Sequence, residues 1–181
     1  MSEDADALAL RYGLQPHPEG GFFRETYRAP TSFARGGDGA SRSLATSIFY
    51  LLRAGERSCL HRIRSDELWF HHAGDALTVF ELVAPSAAAS AGGAAGVKTT
   101  MVGAEPGSSH FHVVPAGTYF GSKLDLALGG KHGFSLVSCV VAPGFDFADW
   151  EMESSTTLRL AFPGEAAARV IDALAKDAAA P

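Results

Sequence analysis

A chain of 181 residues, 46% hydrophobic and 19% charged, has the size and composition of one globular domain, able to bury roughly 70% of its unfolded surface. A net charge of −5 without a long basic run excludes nucleic acid as the expected partner, and no apolar run approaches the roughly 18 residues of a membrane span. The acidic start MSEDADALAL does not read as a signal peptide, so a cytoplasmic protein is expected, with Cys59 and Cys139 as buried, reduced thiols.

The first predicted element is a short helix over 3–12, with acidic residues near its N-terminus and Gly13 as a stop. His17-Pro18-Glu19-Gly20-Gly21 reads as a turn, and Phe22–Arg28 alternates as a strand. One face of that strand carries Phe22, Arg24, Thr26 and Arg28, and the other Phe23, Glu25 and Tyr27. Such a polar strand lies at a solvated edge or lines a polar cavity. Arg24 and Arg28 could clamp a phosphate or carboxylate, or simply pair with Glu25 or Glu19. Residues 31–43 are a Gly- and Ser-rich loop, and the apolar Leu44–Leu52 is a strand covered on both faces.

Gly55–Gly74, GERSCLHRIRSDELWFHHAG, predicts two strands, Cys59–Arg64 and Glu67–Ala73, joined by a tight Ser65-Asp66 turn. Alternation puts Cys59, His61 and Ile63 on one face of the first strand, and Glu67, Trp69 and His71 on one face of the second. Pairing as a hairpin would merge these faces into one wall of imidazole, carboxyl and aromatic groups. A His61–Glu67 pair suits acid–base chemistry, because the carboxylate fixes the imidazole tautomer. Trp69 offers a flat face for stacking a ring.

Ala76–Val83 is the next strand, and the low-complexity 84–96 is a surface insertion without assigned function. Val97–Val102 and Thr118–Lys123 are further strands, with His110 and His112 at a strand-edge surface between them. Alternation lets only one of Tyr119 and Phe120 face inward. After a loop over 125–133, Phe134–Val141 is a strongly apolar strand. In PGFDFADWEM, Asp146, Asp149 and Glu151 fit no Ca²⁺ loop, and Phe145, Phe147 and Trp150 anchor the segment on the body of the protein. Glu165–Lys176, with Val170, Ile171 and Leu174 on one stripe, is a C-terminal helix. About nine strands with helices only at the ends predict an all-β antiparallel barrel or sandwich, and a jelly roll closes such a chain with few exposed edges.

HPEGGFFRETYR, TSIFYLL, SDELW, AGD, VVPAGT and APGFDFADWEM, in this order, resemble the uncharacterised cupin-5 family of the cupin superfamily. The resemblance implies a double-stranded β-helix barrel, one domain over 1–181 with its core at about 12–152 and a C-terminal helix at about 165–176. It also implies a homodimer with a small-molecule pocket inside the barrel, and kinship in fold with nucleotide-sugar epimerases that work without a metal. In the cupin metal pattern, His61 and Glu67 match two ligands, while Ile63 and Phe120 stand where two histidines should be. Two ligands are too few for a catalytic transition metal. No cofactor is therefore expected, and a divalent metal would have to draw on His61, Glu67 and His71. The expected site is His61 and Glu67 for catalysis, with Trp69, His71, Phe120, Ile63, Arg24 and Tyr27 around the ligand. Three functions remain open: a metal-independent sugar or nucleotide-sugar epimerase or isomerase, a non-catalytic small-molecule binder, and a metal-dependent enzyme.

Overall fold

A computed structural model describes residues 4–34, 39–84, 96–124 and 130–177; residues 85–95 of the expected insertion and 125–129 of the expected loop lie outside them. Helix α1 (Ala5–Tyr12) starts where the Asp4 side chain accepts the Ala7 N–H at 2.8 Å and stops at Gly13. Six strands form one antiparallel sheet in the order β1 (Gln15–Pro16), β2 (Phe22–Arg28), β5 (Thr46–Arg53), β12 (Phe134–Ala142), β7 (Asp66–Gly74) and β10 (Phe111–Val114). A second sheet runs β6 (Arg57–His61), β11 (Tyr119–Leu124), β8 (Leu77–Val83) and β9 (Gly96–Val102). The expected 31–43 loop instead contains a small ladder, β3 (Ser32–Ala34) against β4 (Ser41–Ser43).

The main core lies between the two large sheets, where Tyr50, Leu52, Trp69 and Val137 of one meet Val79, Phe120 and Leu124 of the other. Two further clusters cover the outer faces. Leu8 of α1 packs on Leu51, Phe134 and Leu136. Helices α2 (Ser155–Ala161) and α3 (Glu165–Leu174) cover Leu60, Leu82 and Tyr119 through Leu158, Ile171 and Leu174. Strand β5 is thus buried on both faces, as its unbroken apolar run requires. Helix α2 was not foreseen; the side chain of Ser154 caps it.

The expected hairpin does not form. Strand β6 pairs with β11, whereas β7 pairs with β12 and β10. Residues 62–65 therefore carry the chain from one sheet to the other, fastened by backbone bonds between Arg62 and Glu151. His61 and Glu67 face the barrel interior from opposite sheets rather than side by side.

Asp75 closes the opposite turn. Its carboxylate accepts the backbone N–H groups of Lys131 at 2.7 Å, His132 at 3.0 and 3.1 Å, and Gly133 at 2.7 Å. Burial works against its charged form, but these three donors outweigh burial and hold the carboxyl below its ordinary range. The unfolded chain therefore binds the proton more readily, so the stabilisation is complete above about pH 4 and drains away as pH falls through the depressed value. We expect Asp75→Ala to lose about 2–3 kcal/mol in urea unfolding at pH 7. The gap to the parent protein should narrow as the pH is lowered through that range.

Candidate functional site

Inward residues of four strands leave one end of the barrel unfilled. Thr46, Ile48 and Tyr50 of β5, Cys139 and Val141 of β12, Glu67 and Trp69 of β7, and His61 of β6 line a cavity of about 310 Å³. Leu52, Val79, Leu124 and Val137 fill the barrel beyond it.

The cavity wall is organised by Glu19. Its two preceding and following neighbours form a tight loop, with the Gly20 N–H bonded to His17 O at 3.0 Å and the His17 N–H to Gly21 O at 2.9 Å. Gly20 (φ 106°) has backbone of Arg57 2.1 Å from where a Cβ would stand, and Gly21 (φ 69°) has Leu51 O at 2.7 Å, so neither tolerates a side chain. This close approach presses Glu19 into the barrel, where its carboxyl accepts Ser58 Oγ–H at 3.0 Å and Trp150 Nε1–H at 2.8 Å. His61 Nδ1 lies 3.3 Å from the same carboxyl and 2.8 Å from Cys59 O. A carbonyl oxygen only accepts, so His61 Nδ1 carries the hydrogen and Nε2 is left as the acceptor. His17 is oriented oppositely: its Nδ1 accepts the Glu19 N–H at 3.3 Å. Burial holds His17 below the usual histidine range, against the pull of Glu19, so it is neutral near pH 7 with its hydrogen on Nε2.

Glu67 faces this group from the other sheet. Burial, reinforced by repulsion from Glu19, pushes its carboxyl up to about 8; the nearby Cys139 thiol and Trp69 indole only partly oppose this. Cys139 is itself pushed well above the usual thiol range by burial and by Glu67, so it is a neutral thiol. Trp69 Nε1–H approaches Glu67 without hydrogen-bond geometry and has no partner among the described residues. At neutral pH the inner cavity thus presents a carboxylic acid, a thiol and two histidines beside the Trp69 ring.

The mouth is built by β2 and by the segment after β12. A bulge between Glu25 and Tyr27 shifts the register of β2 on β5, so Arg28 follows Phe23 and Glu25 onto the cavity side while Tyr27 turns outward. Arg28 binds Glu25 through Nε at 3.0 Å and Nη2 at 2.7 Å, and reaches Phe145 O at 3.3 Å. Phe145, Asp146 and Phe147 complete the rim. Behind them Asp149 is buried and held by the Arg42 fork at 2.7 and 3.0 Å. PGFDFADWEM therefore does more than anchor itself: it roofs the cavity and supplies Trp150 to Glu19.

Of the residues singled out in the sequence, His61, Glu67 and Trp69 line the cavity. Phe120 lies behind His61, ring centroids 4.2 Å apart, and Ile63 is buried outside the lining. His71 lies past Trp69, beside His110, and does not reach the cavity. Arg24 sits near Gly13, and Tyr27 is exposed. Tyr119 faces away from the cavity, under Phe162. The expected His61–Glu67 pair is replaced by His61–Glu19. His112, expected at the surface, is buried and bonds Glu81 at 2.8 Å. Reading His17-Pro18-Glu19-Gly20-Gly21 as a plain turn missed His17 and Glu19; the paired glycines behind an acid were the available signal.

These side chains do not fit a transition-metal centre. Phe120 packs its ring on His61 where a further ligand would stand, His71 is elsewhere, and among the described residues no group of three His, Cys, Asp or Glu side chains is arranged to hold a metal ion.

Residues 6–153 match the Cupin_5 family, described as Cupin superfamily (DUF985). Similar solved structures include a hypothetical protein from Leishmania major, 32% identical with a TM-score of 0.81 over 95% of this chain and 98% of that one. A protein from Shewanella oneidensis is 34% identical with a TM-score of 0.79 over 97% of this chain and 99% of that one. No curated protein matches the chain.

The raised Glu67 value has a cost that can be measured. A carboxyl shifted up to about 8 stabilises the fold only in its protonated form, and that contribution is lost as pH rises from the unfolded value of 4.5 through 8. Glu67→Gln removes the titration while keeping the shape. The variant should be more stable than the parent at pH 7, by on the order of 3 kcal/mol in urea unfolding, and equal to it at pH 4.

Proposed function

The chain belongs to the Cupin_5 (DUF985) family of the cupin superfamily, and we propose that its barrel cavity binds a sugar-sized carbonyl compound and moves a proton on it. The reading is that of an isomerase or epimerase working without a metal. The observation that carries it is the protonated Glu67 facing, across about 310 Å³, a histidine whose tautomer Glu19 and Cys59 O prescribe. Buried acids and bases with separated proton affinities are the equipment of general acid–base chemistry.

In this scheme His61 Nε2 removes the proton from the carbon next to the substrate carbonyl, while the Glu67 O–H gives its proton to the carbonyl oxygen. The product is a neutral enediol, with His61 now an imidazolium and Glu67 a carboxylate. Return of the proton from His61 to the former carbonyl carbon isomerises the sugar, and Glu67 recovers its proton from the hydroxyl on the adjacent carbon; epimerisation takes the same enediol with the proton delivered to the opposite face by an acid other than His61. The His17 Nε2–H supplies a hydrogen bond to a substrate hydroxyl. A nucleotide diphosphate is disfavoured as the carrier, because Arg28 is the one cation on the cavity wall among the described residues and Glu25 already occupies it.

The test is solvent exchange. Aldoses, ketoses, sugar acids and amino sugars that raise the melting temperature are incubated with the protein in deuterated water and followed by proton NMR. Deuterium should enter the carbon next to the carbonyl, with an alkaline limb near pH 8. Glu67→Gln should slow exchange about 10²–10⁴-fold while the protein stays folded. Ligands that bind and emerge without deuterium identify a binding protein and reject the catalytic reading.

A further inference from the structure

The distribution of charge and aromatic surface around the cavity specifies more about the ligand than that it is small. Four carboxyl side chains line the cavity: Glu19, Glu25, Glu67 and Asp146. Against them stands Arg28, whose fork is closed on Glu25 at 2.7 and 3.0 Å. Arg42 lies 3.9 Å from Asp146, but Asp149 holds it in a buried bidentate pair. With these pairs cancelled, the mouth keeps the charge of Asp146, whose side chain is 46% exposed at the rim. The cations that act on it, Arg42 at 3.9 Å and Arg28, are each shared with another carboxylate, Asp149 and Glu25.

Aromatic rings surround the same space. Phe145 and Phe147 meet edge to face at 4.9 Å, and Phe147, 52% exposed, meets Trp150 at 5.9 Å. Phe23, Tyr50 and Trp69 continue the aromatic wall inward. Ring faces carry partial negative charge, so aromatic walls beside a carboxylate attract an organic cation twice over. An anion entering here would meet Asp146, the ring faces and then Glu19.

We infer that the ligand carries a small organic cation, an amine or ammonium group, seated at the rim between Asp146, Phe145 and Phe147. Its uncharged polar part then extends inward to Trp69, His61 and Glu67. This rests on the cavity being the ligand site, as proposed above, and narrows its substrate to an amine-bearing compound, such as an amino sugar.

The decisive comparison uses three probes of one shape: choline, the uncharged 3,3-dimethylbutan-1-ol and the anionic 3,3-dimethylbutanoate. Binding to the full-length protein is followed by quenching of tryptophan fluorescence and by calorimetry at pH 7. Choline should bind at least tenfold more tightly than either isostere. Asp146→Asn keeps the oxygen that caps the Ala148 N–H, so the segment stays folded, and it should weaken choline several-fold without changing the alcohol. Glu25→Gln frees the Arg28 fork and should shift preference towards the carboxylate probe. Equal binding of choline and the alcohol, preference of the unmodified protein for the carboxylate, or no binding of choline would each overturn the inference. None of these results would touch the proton-transfer reading, which the deuterium exchange and Glu67→Gln decide separately.

Discussion

The Glu19 carboxyl is the contact on which the rest of this site depends. One buried group bonds Ser58 of the second sheet and Trp150 of the roof segment, and faces His61. Strand β6 and the roof segment therefore converge on two oxygen atoms of a third part of the chain, and loss of that acceptor would strand the Ser58 and Trp150 donors and leave His61 held by Cys59 O alone. The same carboxyl acts at a distance on Glu67, whose proton it helps to retain. Structure and electrostatics thus have one source, and it is a residue whose backbone can reach that position only because Gly20 and Gly21 follow it.

Local pattern carried the reading of the chain as far as local pattern can. Period-two alternation was enough to turn His61, Glu67 and Trp69 inward and to recognise a strand in LATSIFYLL, because side-chain direction is a property of a strand by itself. Pairing is not. Strands β6 and β7 are adjacent in sequence yet belong to opposite sheets, and only closure of the barrel decides that. Bulges caused the other departures. The extra residue at Thr26 moves Arg28 to the cavity side and Tyr27 to solvent, and alternation counted through it gives the opposite answer. The irregular pairing of β7 and β12 beside His71 likewise marks where the cavity wall ends.

With Ile63 and Phe120 at the positions where the cupin pattern has histidines, His61 is held by other partners. In a metal site the ion orients the imidazole through its lone pair and consumes that lone pair in doing so. Here the ring is held through its N–H, by Cys59 O and the Glu19 carboxyl, while Phe120 packs on its face. The basic nitrogen is thereby spared. Replacing a cation by a carboxyl partner also reverses the local field: a metal would draw protons off neighbouring acids, whereas Glu19 keeps one on Glu67.

Glu67 has no structural need to be an acid. It makes no ion pair among the described residues, its burial opposes its ionisation, and a glutamine or a branched apolar side chain would sit on β7 at lower cost. The other buried carboxyls differ. Glu81 is bound by His112 and Lys98, Asp149 by Arg42, and Asp75 by three backbone donors. Each of these holds two segments together and titrates, where a shift is resolved, in the direction that favours its charge. The barrel thus shows how this chain treats an acid used for structure, and Glu67 departs from that treatment where open volume and oriented imidazoles lie beside it. A group kept against the interest of the fold, in a cavity, is best explained by what enters the cavity.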